Sequence, residues 1–359
     1  MEKKQKKKYI QIIILGVVVL LMIISTIFTS SISSNIKDWL YKADVKASQD
    51  DLVVHFIDVG QGDAIALRFP DDKVMLIDSG TKLSQNLYIE YIKNDVLSSN
   101  NDLVIDYLLL THPDIDHSGG VSAVFVEFEV KHFFRPNIAS EDESDINFAM
   151  QSTLDEYNEA IKLSKQEKDL QIDIINQKYE FYISGALVQI FPPIREYATT
   201  NEMSPIVKVS YLGKSFLFTG DIQEYSEELM IEKYGNILDA DVLKVAHHGS
   251  ETSTPNEFVD VVTPKYAVIC VGDNSYGHPH LNVVARLEDA GAKVLTTNGQ
   301  NVRFVCGHEM FGVLDEDIVH SHEFIDWWFI ALIIVVILAI VLVKIILQLI
   351  KMRRQKDEN

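Results

Sequence analysis

Alternation of apolar and polar positions divides the middle of the chain into short elements bounded by Gly, Asp and Pro. Leu52-Val53-Val54-His55-Phe56-Ile57-Asp58 reads as a strand that ends in a glycine-rich corner, Val59-Gly60-Gln61-Gly62-Asp63. Two further strands, Ala64–Phe69 and Lys73–Ile77, flank the turn Pro70-Asp71-Asp72, and Asp78-Ser79-Gly80 closes the meander. Tyr88, Ile89, Tyr91, Ile92 and Val96 then recur at helical spacing. The apolar run Tyr107–Leu110 is short enough to be a buried strand, and Ser118-Gly119-Gly120 opens a helix over Val121–Glu129. Beyond 131–136, residues 140–172 are polar, with an amphipathic helix from Ile146 to about Leu163, either a lid over a site or an ordinary surface helix. Strand signals return at Val188–Phe191, Ile206–Tyr211 and Lys214–Thr219, followed by a helix over Tyr225–Tyr234 and a strand over Val242–Ala246. A helix at Asn256–Val262, a strand at Tyr266–Val271, a loop Gly272–His280 and a helix at Leu281–Ala290 precede two closing strands, Lys293–Thr296 and Val302–Cys306. Sheet, helix, sheet, helix over this length predicts two sheets sandwiched between helices.

Both ends depart from this texture. Ile10–Phe28 is nearly all apolar, and Trp327–Val343 is seventeen residues without a charge. Each is about the length that spans a hydrocarbon core. The first exceeds an ordinary signal-peptide apolar region, and only a diffuse Ser/Thr tract follows it. The expected organisation is a basic tail (1–8), a transmembrane helix (9–29), a stalk (30–50), a folded domain (51–318), a second transmembrane helix (325–350) and a basic tail (351–359). Lysines crowd residues 1–8, and Lys351, Arg353, Arg354 and Lys356 follow the second span, so both termini are expected in the cytoplasm and the domain outside. Without residues 1–8 and 344–359, 22 basic residues face 49 acidic ones, a net charge near −27. Such acidity favours solubility and repels polyanions at long range. Cys270 and Cys306 each end a predicted strand; outside the membrane a disulfide between them and two buried thiols are equally open readings.

The chemistry concentrates at three strand ends. Thr111–Gly120 reads THPDIDHSGG and sets His112, Asp114, Asp116 and His117 on a strand-to-helix loop, where side chains converge while the scaffold holds them. Imidazoles suit zinc and iron, carboxylates suit harder ions such as manganese, and the mixture fits a two-metal hydrolytic site. The other two strand ends carry Gly220-Asp221 and His247-His248. His55, His132, His308, His320 and His322 have no motif around them and are expected to be structural.

At this point the sequence resembles the metallo-β-lactamase superfamily, and more narrowly the hydrolase domain of ComEC-type DNA-uptake proteins and its free-standing relatives. The resemblance covers about residues 52–306 and rests on HFIDVGQGDA at 55–64, LIDSG at 76–80, THPDIDHSGG at 111–120, FLFTGD at 216–221, LKVAHHGS at 243–250 and NSYGHPH at 274–280. It implies an αββα sandwich, here flanked by the two transmembrane helices, with two divalent ions, zinc or manganese. His112, Asp114 and Asn201 would hold one metal; Asp116, His117 and His247 would hold the other, with Asp221 bridging. Asp114 stands where the superfamily has a second His, and Asn201 where it has a third, which shifts preference from zinc toward manganese or a mixed site. Asp116, His248 and His278 are the implied catalytic residues, the two histidines competing to protonate the leaving group or bind the phosphate. Gln61, Asp63, His278 and His280 are the candidates for orienting substrate.

The expected function is a membrane-anchored, extracellular, metal-dependent phosphodiesterase or nuclease of the ComEC-like type. The alternative substrate is a cell-envelope phosphodiester such as a phosphorylcholine or teichoic acid ester, which an acidic face tolerates better than a polynucleotide. A non-catalytic membrane-tethered binding module is the third reading, and the presence of Asp116, His117 and Asp221 weighs against it. Two single spans form no channel by themselves, so a role in DNA uptake would need a membrane channel partner.

Overall fold

The computed structural model describes residues 47–97, 103–136, 151–194, 199–308, 310–314 and 319–320. Both apolar runs expected to cross a membrane lie outside the described residues, among which no helix is long and apolar enough to do so. The described strands are β1 (Leu52–Phe56), β2 (Ile65–Arg68), β3 (Val74–Ile77), β4 (Val104–Leu109), β5 (Glu129–Pro136), β6 (Gln171–Ile175), β7 (Tyr179–Ile183) and β8 (Ala186–Phe191). They continue with β9 (Ile206–Tyr211), β10 (Lys214–Phe218), β11 (Val242–Lys244), β12 (Tyr266–Ile269), β13 (Lys293–Thr296), β14 (Val302–Cys306), β15 (Met310–Val313) and β16 (Val319–His320).

Two sheets result, ordered β16-β15-β14-β1-β2-β3-β4-β5-β6 and β13-β12-β11-β10-β9-β8-β7. Each is antiparallel on one side and parallel on the other: β3 to β6 run parallel in the first, β10 to β13 in the second. Parallel neighbours need crossovers, and helices supply them. These are α1 (Gln85–Tyr91), α2 (Ile115–Ser118), α3 (Val121–Glu127) and α4 (Gln151–Ser164) on the first sheet's side, and α5 (Glu224–Tyr234), α6 (Asn256–Val262) and α7 (Leu281–Asp289) on the second's.

Burial follows the alternation of side chains across each strand. Val54 and Phe56 of β1, Leu67 of β2, Val188 and Ile190 of β8, and Phe216 and Phe218 of β10 meet in the layer between the sheets. The opposite side chains of the first sheet, among them Leu76 and Leu108, pack on Val121, Val124 and Phe125 of α3 and Tyr157 and Ala160 of α4. Those of the second, among them Leu217 and Leu243, pack on Met230, Phe258, Val259, Val283 and Leu287. Three apolar layers therefore separate four structural ones, the αββα sandwich anticipated from the sequence.

The described part of the amphipathic segment is α4, and residues 137–150 lie outside the described residues. Strands β6 and β7, absent from the reading of the sequence, are the outermost strands of their sheets and are largely exposed, so their polar alternation carries little apolar signal. Of the two readings of Cys270 and Cys306 the disulfide is corrected and the pair of thiols holds: both are free and buried, and Cys306 Sγ donates to the carbonyl of Tyr211.

Candidate metal centre

The C-terminal ends of parallel strands supply almost every polar group of the site, the usual position for ligands in sheets of this kind. Asp78 follows β3, Thr111 to His117 follow β4, Asp221 follows β10, and His247 and His248 follow β11. Gly62 admits the metal loop from the other side. A Cβ there would stand 2.3 Å from the carbonyl oxygen of Asp116, and the next residue, Asp63, donates its N–H to that same carbonyl at 3.0 Å.

The hydrogen bonds determine which nitrogen of each imidazole is free. Asp78, an acceptor, takes the Thr111 N–H (2.8 Å), the Thr111 hydroxyl (2.7 Å) and the Nδ1–H of His117 (2.8 Å). With its one proton given to Asp78, the Thr111 hydroxyl can only accept from Nδ1 of His112 at 3.0 Å. Nδ1 of His248 donates to the carbonyl of Cys270 at 2.8 Å. All three rings thus carry their proton on Nδ1, and the three Nε2 atoms are buried without a hydrogen-bond partner. Rings oriented from behind in this way, with inward lone pairs, are what a divalent cation requires. The donor set fits a metal.

Around those lone pairs stand carboxylates. Asp221 Oδ2 lies 3.3 Å from His117 Nε2 and 3.2 Å from His248 Nε2, and Asp116 Oδ2 is also 3.2 Å from His248 Nε2. Asp114 Oδ2 is 3.8 Å from His112 Nε2, while its Oδ1 accepts the Thr200 hydroxyl at 2.6 Å. Asp63, His117, Asp221 and His248 are all buried, and one ligand atom from each lies within 4.8 Å of the others. Asp63, however, faces the Nδ1 sides of both rings, 3.8 Å from His117 and 3.4 Å from His248, and is engaged by Lys244 Nζ at 2.5 Å. That places it behind the imidazoles rather than among their lone pairs.

The placement exchanges the two adjacent histidines relative to the reading of the sequence. His248, not His247, stands with Asp116, His117 and Asp221, whereas His247 Nε2 lies 3.2 Å from Asn201 Nδ2. The reason is backbone chirality. His247, His248 and Gly249 have φ of 49°, 53° and 78°, and this left-handed turn swings the second imidazole inward. His278 flanks both, its ring centroid 5.5 Å from that of His247 and 6.4 Å from that of His248. His280 accepts the N–H of Glu251 at its Nδ1, and Gln61 Oε1 accepts the N–H of Gly272 at 3.4 Å, tying the glycine corner to the loop after β12.

Electrostatics follow from crowding these groups out of water. Burial pushes His117 and His248 down, but Asp221 first, with the other nearby carboxylates, holds both imidazoles well above their ordinary value. Burial pushes Asp221 up, and His248, His117 and Lys244 outweigh it and keep the carboxyl well below the usual range. Asp116 is likewise held low against its burial by the adjacent His248 and His117 imidazoles. His112, buried and beside His117, falls to about 3, and Asp114 is raised by burial. Without a cation the carboxylates keep two imidazoles protonated; a divalent ion supplies that charge instead.

Four contributors escaped the reading of the sequence: Asp78, Thr111, Lys244 and Ser204, whose hydroxyl oxygen accepts the N–H of Asp221 at 3.2 Å and lies 3.2 Å from His112 Nδ1. Two carried a signal. Asp78 lies in LIDSG, and Lys244 is a charge inside an otherwise apolar strand, where an unpaired lysine is almost never found.

Comparison with known proteins gives the same family. The profile of the metallo-beta-lactamase superfamily matches residues 57–273. The chain is 31% identical over 261 residues to ComE operon protein 3 of Bacillus subtilis, covering 68% of this chain and 32% of that protein. It is 29% identical over 251 residues to competence protein ComA of Neisseria gonorrhoeae, covering 70% and 31%. The ComEC-like resemblance is thus borne out, although the chain spans only about a third of the length of these relatives. Among solved structures, it is similar to the metallo-beta-lactamase fold protein YhfI from Bacillus subtilis at 10% identity and a TM-score of 0.43, covering 71% of this chain and 100% of the other.

Proposed function

The chain belongs to the metallo-beta-lactamase superfamily, and from that premise we propose that it is a two-metal phosphodiesterase held at the outer face of a membrane. The observation that carries this reading is the convergence of the orphaned Nε2 atoms of His117 and His248 with the carboxylates of Asp116 and Asp221, and of His112 Nε2 with Asp114. His112 and Asp114, with Asn201 nearby, would hold one ion; Asp116, His117, His248 and Asp221 would hold the other. Cations bound there would polarise a phosphoryl oxygen and generate a nucleophilic hydroxide near neutral pH. Asp78, Thr111 and the Cys270 carbonyl fix the rings, so the lone pairs need no reorganisation. Burial and the neighbouring imidazoles of His247, His248 and His280 bring His278 down to about 4. It is therefore neutral at pH 7 and suited to donating a hydrogen bond to a phosphate oxygen rather than delivering a proton.

The competence-protein relatives favour DNA as substrate, with a membrane channel partner if the role is uptake. One observation favours a cell-envelope phosphodiester instead. A cavity of about 270 Å³ lined by Glu202, Glu224, Tyr225, Glu228 and Thr252 adjoins the site, since the Thr252 hydroxyl lies 3.4 Å from His247 Nδ1. Carboxylates and an aromatic ring suit a cationic headgroup and repel a second phosphate. Hydrolysis by the manganese- or zinc-loaded chain should be compared on single- and double-stranded DNA, glycerophosphocholine and bis-p-nitrophenyl phosphate. Cleavage of DNA above the choline ester supports the first reading, and the reverse order the second. Failure on all four contradicts the phosphodiesterase assignment.

A further inference from the structure

Lys244 ends β11 inside the protein with no solvent exposure at all. Its ammonium donates to the carbonyl of Gly220 at 2.8 Å and lies 2.5 Å from Asp63 Oδ2 and 3.5 Å from Asp221 Oδ1. A lysine buried this deeply loses its hydration, and only carboxylates at such distances offset that cost. Those two carboxylates sit on opposite sides of the imidazole pair. Asp63 faces the Nδ1 atoms of His117 and His248, and Asp221 Oδ2 faces their Nε2 atoms.

We infer that Lys244 is a positioning residue of the metal centre: it anchors Asp221 through Oδ1, so that only Oδ2 faces the His117 and His248 lone pairs, and keeps Asp63 behind the rings. The inference rests on the metal-binding part of the proposed function and not on any substrate. The geometry divides the labour of Asp221 between its two oxygens, one held by a cation that belongs to the protein and the other left for a cation that binds. Gly220 completes the arrangement. Its carbonyl accepts from the same ammonium, and its φ of 53° turns the chain so that Asp221 enters the site directly after that contact.

A lysine that merely balanced Asp63 would behave differently from one that positions Asp221, and a paired substitution separates the two. In the full-length chain purified in detergent, Lys244→Met with Asp63→Asn removes the buried ion pair as a unit. Manganese affinity is then measured by titration of the metal-free protein, and the bound ion's coordination by its electron paramagnetic resonance spectrum. The double variant should fold, bind manganese about 10-fold or more weakly, and give an altered spectrum, because Asp221 Oδ1 has lost its anchor. Lys244→Gln, which keeps a neutral N–H donor and leaves Asp63 in place, is the second variant and should show the same loss. Wild-type affinity and spectrum in either folded variant would overturn the inference. Because manganese is the only probe, failure of the phosphodiesterase reading would leave this outcome untouched.

Discussion

His247 and His248 are neighbours in the chain, yet one reaches Asn201 and the other reaches Asp116 and Asp221. Motif spacing told that a histidine after β11 belongs to the site; the sign of φ decided which, and sequence spacing does not encode it. Two non-glycine residues in the left-handed region cost on the order of 1–3 kcal/mol each, strain that persists where the surrounding structure imposes it. The account predicts that metal content falls further in His248→Ala than in His247→Ala when the purified variants are analysed by mass spectrometry. Turnover should drop by on the order of 100-fold or more in the former. Equal metal content in the two would remove the distinction. Gly62 offers a second check. With φ of 140° and a virtual Cβ 2.3 Å from the Asp116 carbonyl, Gly62→Ala must push the metal loop away. Thermal unfolding should show a loss on the order of 1–3 kcal/mol, with weakened metal binding.

Among the elements, strands flanked by apolar neighbours on both faces were legible, as was the edge strand β13, and the polar edge strands β6 and β7 were not. Strands β4, β10 and β11 read as apolar runs because sheet and helix cover both their sides, and each is followed by residues of the candidate site. The polar edge strands β6 and β7, which follow α4 in the chain, gave no comparable signal. Helix α5 carries a titrating group of its own. Glu227 is fully buried; its Oε2 accepts the N–H of Thr254 at 2.7 Å, while Oε1 has no hydrogen-bond partner. Burial raises its pKa from 4.5 to about 8. The folded state therefore binds a proton that the unfolded state releases between these values, so stability falls as pH rises from about 4.5 to about 8. Glu227→Gln should flatten that decline and be more stable at pH 8, on the order of 2 kcal/mol, in chemical denaturation. A variant whose stability parallels the parent across this range would show that Glu227 titrates normally.

For the whole molecule, composition spoke to disposition more than to chemistry. The basic residues beside both apolar runs are the ground on which we propose an external domain on two membrane helices, and proteinase added to intact protoplasts tests it. Removal of the domain is expected; protection until lysis would place it inside. The acidity of the middle region leaves the substrate open, since the fold supplies a metal centre and the surface selects what reaches it. The most direct measurement concerns the centre itself. The full-length chain is stripped with chelator, reloaded with manganese or zinc, and assayed on bis-p-nitrophenyl phosphate beside Asp221→Ala. Hydrolysis should vanish on stripping and return with two equivalents of metal per chain, and the folded Asp221→Ala variant should neither retain both ions nor turn over. Undiminished hydrolysis by metal-free protein, or two ions and full activity in Asp221→Ala, would contradict the account.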